Sequence, residues 1–142
     1  MRTRGIHHVV LTVTNVARST DFYGKVLGMQ ALQSSEDGSV LVDGEGMLCL
    51  RRAAQESMPG DRFDEHRVGL DHVAFSVAGH AELKSTLEVL EGLKVRTAGI
   101  EYDPDGQAEF ICFRDPDNIQ VEVYVWSEYS IGLASLKQRD AD

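Results

Sequence analysis

Large apolar residues alternate with smaller or polar ones along Gly5-Ile6-His7-His8-Val9-Val10-Leu11-Thr12-Val13, and the alternation returns along Gly69-Leu70-Asp71-His72-Val73-Ala74-Phe75-Ser76-Val77. A period of two marks a β-strand. At one offset the two stretches match glycine to glycine and His8 to His72, so each opens one copy of a repeated module. Behind each strand the period lengthens to that of a helix. Ser19, Phe22, Tyr23, Val26 and Leu27 share one stripe, with Asn15 placed to cap the start and Gly28 to supply a left-handed turn at the end. Leu83, Leu87 and Leu90 form the stripe of the second copy, and Gly92 ends it at the offset that relates the histidines.

Shorter strand patterns follow each helix, at 30–34, 39–42 and 47–51 in the first copy and at 94–97, 109–113 and 120–126 in the second. Asp37-Gly38, Asp43-Gly44 and Asp105-Gly106 punctuate them as turns. The pattern predicts an α+β fold of two βαβββ modules, 5–52 and 69–126, within one domain of 142 residues. The stretch 53–68 is polar, carries Pro59-Gly60 and reads as a linker, and the tail 127–142 ends in a polar run expected to fray.

Strand parity separates two faces. Val9, Leu11 and Val13, then Val73, Phe75 and Val77, then Val121, Val123 and Val125 form the sides that would pack on helices. His8, His72 and Glu122 fall on the opposite sides, with Val10, Ala74 and Tyr124. If the two sheets curve into one open cup with the helices outside, two imidazoles and a carboxylate converge on its concave side. That donor set suits one divalent transition metal with positions left open for water or substrate. Iron, manganese, nickel, cobalt and zinc all satisfy it.

Charge narrows the range of partners. A formal net charge of -9 and a pI near 4.9 oppose binding to nucleic acid or to an anionic membrane surface. No run reaches the roughly 20 apolar residues of a membrane helix, and Met1-Arg2-Thr3-Arg4 leads into the first strand without a signal-peptide core, so a cytoplasmic protein is expected. Cys49 and Cys112 lie in apolar strand patterns and read as free thiols.

The run from His8-Val9 through Asp21-Phe22-Tyr23 to Val26-Leu27-Gly28-Met29 resembles the opening module of the vicinal oxygen chelate superfamily. That superfamily includes glyoxalase I, extradiol dioxygenases, and fosfomycin- and bleomycin-resistance proteins. Asp71-His72-Val73-Ala74-Phe75 and the run Phe113-Arg114-Asp115-Pro116-Asp117-Asn118-Ile119-Gln120-Val121-Glu122 resemble its other two signatures. The resemblance implies that His8, His72 and Glu122 are metal ligands. It also locates departures. Glyoxalase I closes its first module with a second glutamate, and the matching position here is Cys49, which is either a small buried strand residue or a thiol facing a soft metal or ligand. Ring-cleaving relatives carry a tyrosine shortly before the Asp-Pro turn, where this chain has Cys112. Asn118 replaces the glycine usual in that turn and tolerates a left-handed backbone.

These readings lead to a metal-dependent lyase or isomerase acting on a small oxygenated molecule, with no catalytic residue assigned. Two alternatives stand beside it: metal-free drug or ligand binding of the bleomycin-resistance kind, and Fe(II) extradiol dioxygenase chemistry. Cys49, Arg51 and Tyr124 are the substrate-binding candidates, by shared parity with the site. Arg51 reads first as a charged surface strand end and second as a group that meets an anionic substrate, and Tyr124 as a hydrogen-bonding group or as lining only. His7 has the opposite parity, and His66 lies in the linker without a role. Exposed sheet edges favour a homodimer.

Overall fold

The computed structural model describes residues 5–54 and 62–126. The expected fraying tail, the Pro59-Gly60 turn and the first four residues lie outside the described residues. The described chain forms two compact units, the first from residues before 64 together with 115–118, the second from the remainder.

In the first unit, β1 (Val9–Val13) leads into α1 (Val16–Leu27), followed by β2 (Gln30–Ser34), β3 (Gly38–Val42) and β4 (Met47–Arg52). The sheet order is β1-β4-β3-β2, with β1 and β4 parallel and the other pairs antiparallel. The second unit repeats this plan with β5 (Val73–Val77), α2 (His80–Gly92), β6 (Glu101–Asp103), β7 (Ala108–Arg114) and β8 (Gln120–Val125), ordered β5-β8-β7-β6, with β5 and β8 parallel. The expected α+β fold of two βαβββ modules is therefore the observed one. No helix among the described residues is long and apolar enough to cross a membrane.

Helix α1 starts where the sequence indicates. The Asn15 side chain accepts a hydrogen bond from the Arg18 N–H at 2.9 Å, and Gly28 closes the helix at φ 67°. Its stripe of Val16, Phe22, Tyr23 and Val26 is buried, and the helix packs on β2, β3 and β4, whose core side chains include Leu41, Leu48 and Leu50. In the second unit Leu83 and Leu90 are buried and α2 packs on β7 and β8, which contribute Ile111, Phe113, Val121 and Val123.

One expectation needs correction. Gly92 ends α2 as expected, as its last residue; Leu93 stays right-handed and Lys94 takes the left-handed turn at φ 57°. The expected strand at 94–97 is absent because that turn occupies its start, and only Thr97 bridges to Phe113. The edge of this sheet is instead the short, polar β6, held by its pairing with β7.

The Asp115-Pro116-Asp117-Asn118 turn packs with α1 in the first unit. Asp117 accepts hydrogen bonds from the Thr14 N–H and hydroxyl and pairs with Arg18 at 2.9 Å, adding negative charge at the helix N-terminus. Asn118 holds the left-handed conformation expected of it, at φ 70°. Beneath the turn, the buried Tyr23 hydroxyl donates to Asp115 at 2.9 Å, and burial together with that carboxylate pushes the phenol pKa far up, so it stays a neutral donor.

Two hydroxyls on this helix face make opposite contributions. Tyr23→Phe removes a donor from a buried carboxylate and is expected to destabilise by about 1–3 kcal/mol. The buried Ser19 hydroxyl has no hydrogen-bond partner among the described residues, so Ser19→Ala is expected to stabilise by up to about 1 kcal/mol. Urea unfolding of both variants checks this. Loss of stability in Ser19→Ala, or no loss in Tyr23→Phe, contradicts it.

Candidate functional site

Strand β8 sets the chemistry of the second unit. Val121 and Val123 are 0% and 1% exposed, which turns Glu122 and Tyr124 to the opposite face of the sheet. Glu122 sits between Ala74 on β5 and Cys112 on β7. His72 immediately precedes β5 and reaches the same carboxylate, its Nε2 3.5 Å from Glu122 Oε2. Its Nδ1 is 2.6 Å from Asp71 Oδ1. In the neutral tautomer that donates its Nδ1–H to Asp71, the Nε2 lone pair is directed at Glu122, beyond the range of a good hydrogen bond, whereas a protonated ring pairs with both carboxylates. Two electron-pair donors facing each other, one steadied by an outer carboxylate, match the chemistry of a cation site. Burial raises the Glu122 pKa and His72 opposes that shift, so positive charge nearby favours its ionised form. Burial and then Glu122 push the Cys112 thiol up as well, keeping it protonated.

Tyr124, one step along this face, stacks on Phe110 with ring centroids 5.6 Å apart and donates its hydroxyl to Asp103. Burial and that carboxylate raise the phenol pKa, while the phenol lowers that of Asp103. Gly106 makes room for the pair, because a Cβ there would run into the Tyr124 hydroxyl and the Asp103 carboxylate. The Tyr124 O–H is thus already committed. Glu65 closes a bidentate ion pair on Arg114, from a segment read in the sequence as linker.

The first unit carries the same frame with other side chains. Cys49 lies between Val10 on β1 and Val40 on β3, the register that Glu122 has between Ala74 and Cys112. Cys49 is thus the first sheet's counterpart of Glu122, and Arg51 of Tyr124. His8 precedes β1 as His72 precedes β5, and its Nδ1 is 2.9 Å from that of His7. His8, Val40, Cys49 and Arg51 line an open groove of about 510 Å³.

Of the three candidate metal ligands, His72 and Glu122 come together in the second unit, and His8 belongs to the first. Among the described residues no group of three His, Cys, Asp or Glu side chains is gathered closely enough to hold a metal ion. The sequence reading overlooked Asp71, although its place beside His72 was visible, and it overlooked Asp103 and Glu65, for which no local signal exists.

The family model described as Glyoxalase/Bleomycin resistance protein/Dioxygenase superfamily matches residues 5–123. The chain is 31% identical over 135 residues to lactoylglutathione lyase of Escherichia coli O157:H7, across 90% of this chain and 97% of that protein. It is 30% identical over 125 residues to the uncharacterised protein YaeR of Escherichia coli K12, across 84% of this chain and 94% of that one. A crystal structure of a glyoxylase/bleomycin resistance protein/dioxygenase domain from Frankia sp. EAN1pec matches with a TM-score of 0.76 at 29% identity, covering 87% of this chain and 98% of that one.

The Glu65–Arg114 pair yields a pH prediction. The Arg114 hydrogen bond holds the Glu65 carboxyl down at about 2, against an ordinary value near 4.5. A depressed folded-state pKa means that the pair's stabilisation is complete above about 4.5 and is lost as the pH falls towards 2. A carboxyl-detected NMR titration should place the Glu65 midpoint near 2 and return it to the ordinary range in Arg114→Gln. An ordinary midpoint in the unaltered protein contradicts the pairing.

Proposed function

The chain belongs to the glyoxalase, bleomycin resistance protein and dioxygenase superfamily, and from that premise we propose that it is a divalent-metal-dependent enzyme performing lyase or isomerase chemistry on a small oxygenated substrate. The observation that supports this reading is the Asp71, His72 and Glu122 arrangement: an imidazole oriented by one carboxylate and directed at a second. His8, at the corresponding place before β1, would complete the ligand set. The similarity to a lactoylglutathione lyase supports lyase chemistry.

When bound, such an ion supplies Lewis-acid stabilisation to a negatively charged substrate oxygen. This chain's own residues do the rest. Asp71 fixes the His72 tautomer, and Val121 and Val123, anchored in the core, keep Glu122 turned outward. Tyr124 is a fixed wall and not a proton carrier, because its hydroxyl is held by Asp103. A thiol at Cys49 cannot act as the second glutamate of glyoxalase I, so the reading extends to lyase or isomerase chemistry and not to the glutathione-dependent reaction. Open edges at β1, β2, β5 and β6 support the proposed homodimer.

The same Cys49 and the open groove beside it favour one second reading, sequestration of a small molecule without reaction. Elemental analysis of untagged protein separates the two. The enzyme reading expects stoichiometric divalent metal that His72→Ala abolishes, and about a 10- to 100-fold loss of metal affinity in Asp71→Asn. Unchanged metal content in His72→Ala sinks the proposed site, and tight metal-independent ligand binding would establish sequestration.

A further inference from the structure

The groove of the first unit holds two donor groups that no described residue uses. Arg51 lies two residues beyond Cys49 on β4 and so shares its face, between Thr12 on β1 and Gly38 on β3. Gly38 places no side chain beside it. Arg51 has no carboxylate partner among the described residues, as is also true of Arg52, Lys84 and Arg96, and of these it is the one that lines the groove. Gln33 lines the same groove from β2, and its side-chain amide is likewise without a partner among the described residues. The groove's single lining carboxylate is Asp37, in the β2–β3 turn. Its backbone N–H is bound by the Ser35 hydroxyl, and no ion pair joins its carboxylate to Arg51.

The second unit's corresponding face is chemically opposite. Asp71, Asp103 and Glu101 all act on Glu122 to raise its pKa, and the arginine there, Arg114, is bound by Glu65. An anion placed on that face meets several carboxylates. One placed at Arg51 meets a guanidinium fork and an amide donor, in a volume within the range of small-molecule pockets. We propose that Arg51, with Gln33, is the binding subsite for an oxyanion group, carboxylate or phosphate, carried by the small-molecule substrate. The assignment rests on the reading of this protein as one that acts on a small oxygenated molecule. It adds that the molecule is anionic.

Chelator-treated protein, titrated separately with inorganic phosphate and with malonate and followed by amide NMR, tests the subsite independently of any metal. Saturable shifts are expected at Gln33, Gly38 and Arg51, with the tighter of the two probes identifying the preferred oxyanion. Arg51→Gln should weaken binding by about tenfold or more, since it removes a charge-assisted bidentate contact. Arg51→Lys should recover only part of that loss, having charge without the planar fork. Asp37→Asn should tighten binding, and Arg52→Gln, on the other face of β4, should leave it unchanged. Shifts that never saturate with either probe, or an equal loss in Arg52→Gln, overturn the proposal. Saturable binding in a protein that proves to hold no metal upholds the subsite while retiring the metal-dependent reading.

Discussion

In each unit a parallel strand pair, bridged by a helix, has a register that decides which side chains are core and which are chemistry. Leu48 and Leu50 on β4, and Val121 and Val123 on β8, are each at most 2% exposed. Slipping either strand by one residue would exchange the two faces, exposing these side chains at about 1.5–3 kcal/mol apiece and burying Arg51 or Glu122 in their place. The cost locks Cys49 and Arg51, and likewise Glu122 and Tyr124, onto the opposite face. Their orientation follows from packing and needs no further support.

Identical frames then carry different chemistry. The position between the first strand and the third is a thiol in one sheet and a carboxylate in the other, and the next position on the same strand is Arg51 or Tyr124. In the second unit three polar pairs stand out: His72 with Asp71, Tyr124 with Asp103, Arg114 with Glu65. These bonds hold the side chains around Glu122 in place, which suits the proposed cation site. In the first unit Arg51 and the Gln33 amide have no partner among the described residues.

The parts of the fold governed by local periodicity were legible in the sequence. The alternation through Val9, Leu11 and Val13, the Asn15 cap and the Gly28 turn fixed β1 and α1 to within a few residues, and the common offset of His8 and His72 exposed the repeat. Strand β6 was not legible, because Glu101, Tyr102 and Asp103 form an edge through pairing with β7 and not through their own propensity. Lys94 misled for the opposite reason, standing at a strand-like pattern but turning left-handed in the backbone. The bonds Tyr23–Asp115, Tyr124–Asp103 and Arg114–Glu65 join residues far apart in the chain, where no spacing rule connects them. The face that Glu122 and Tyr124 occupy was readable from parity, whereas the partners of the polar side chains were not, except for Asp71 beside His72.

The central proposal is that His8, His72 and Glu122 are the ligands of one divalent metal. A crystal of protein loaded with manganese or cobalt, measured at the metal's absorption edge, tests it most directly. The account predicts one anomalous peak per chain, bonded to His8, His72 and Glu122 together. A peak elsewhere, or one held by His72 and Glu122 without any His8 imidazole, would contradict it.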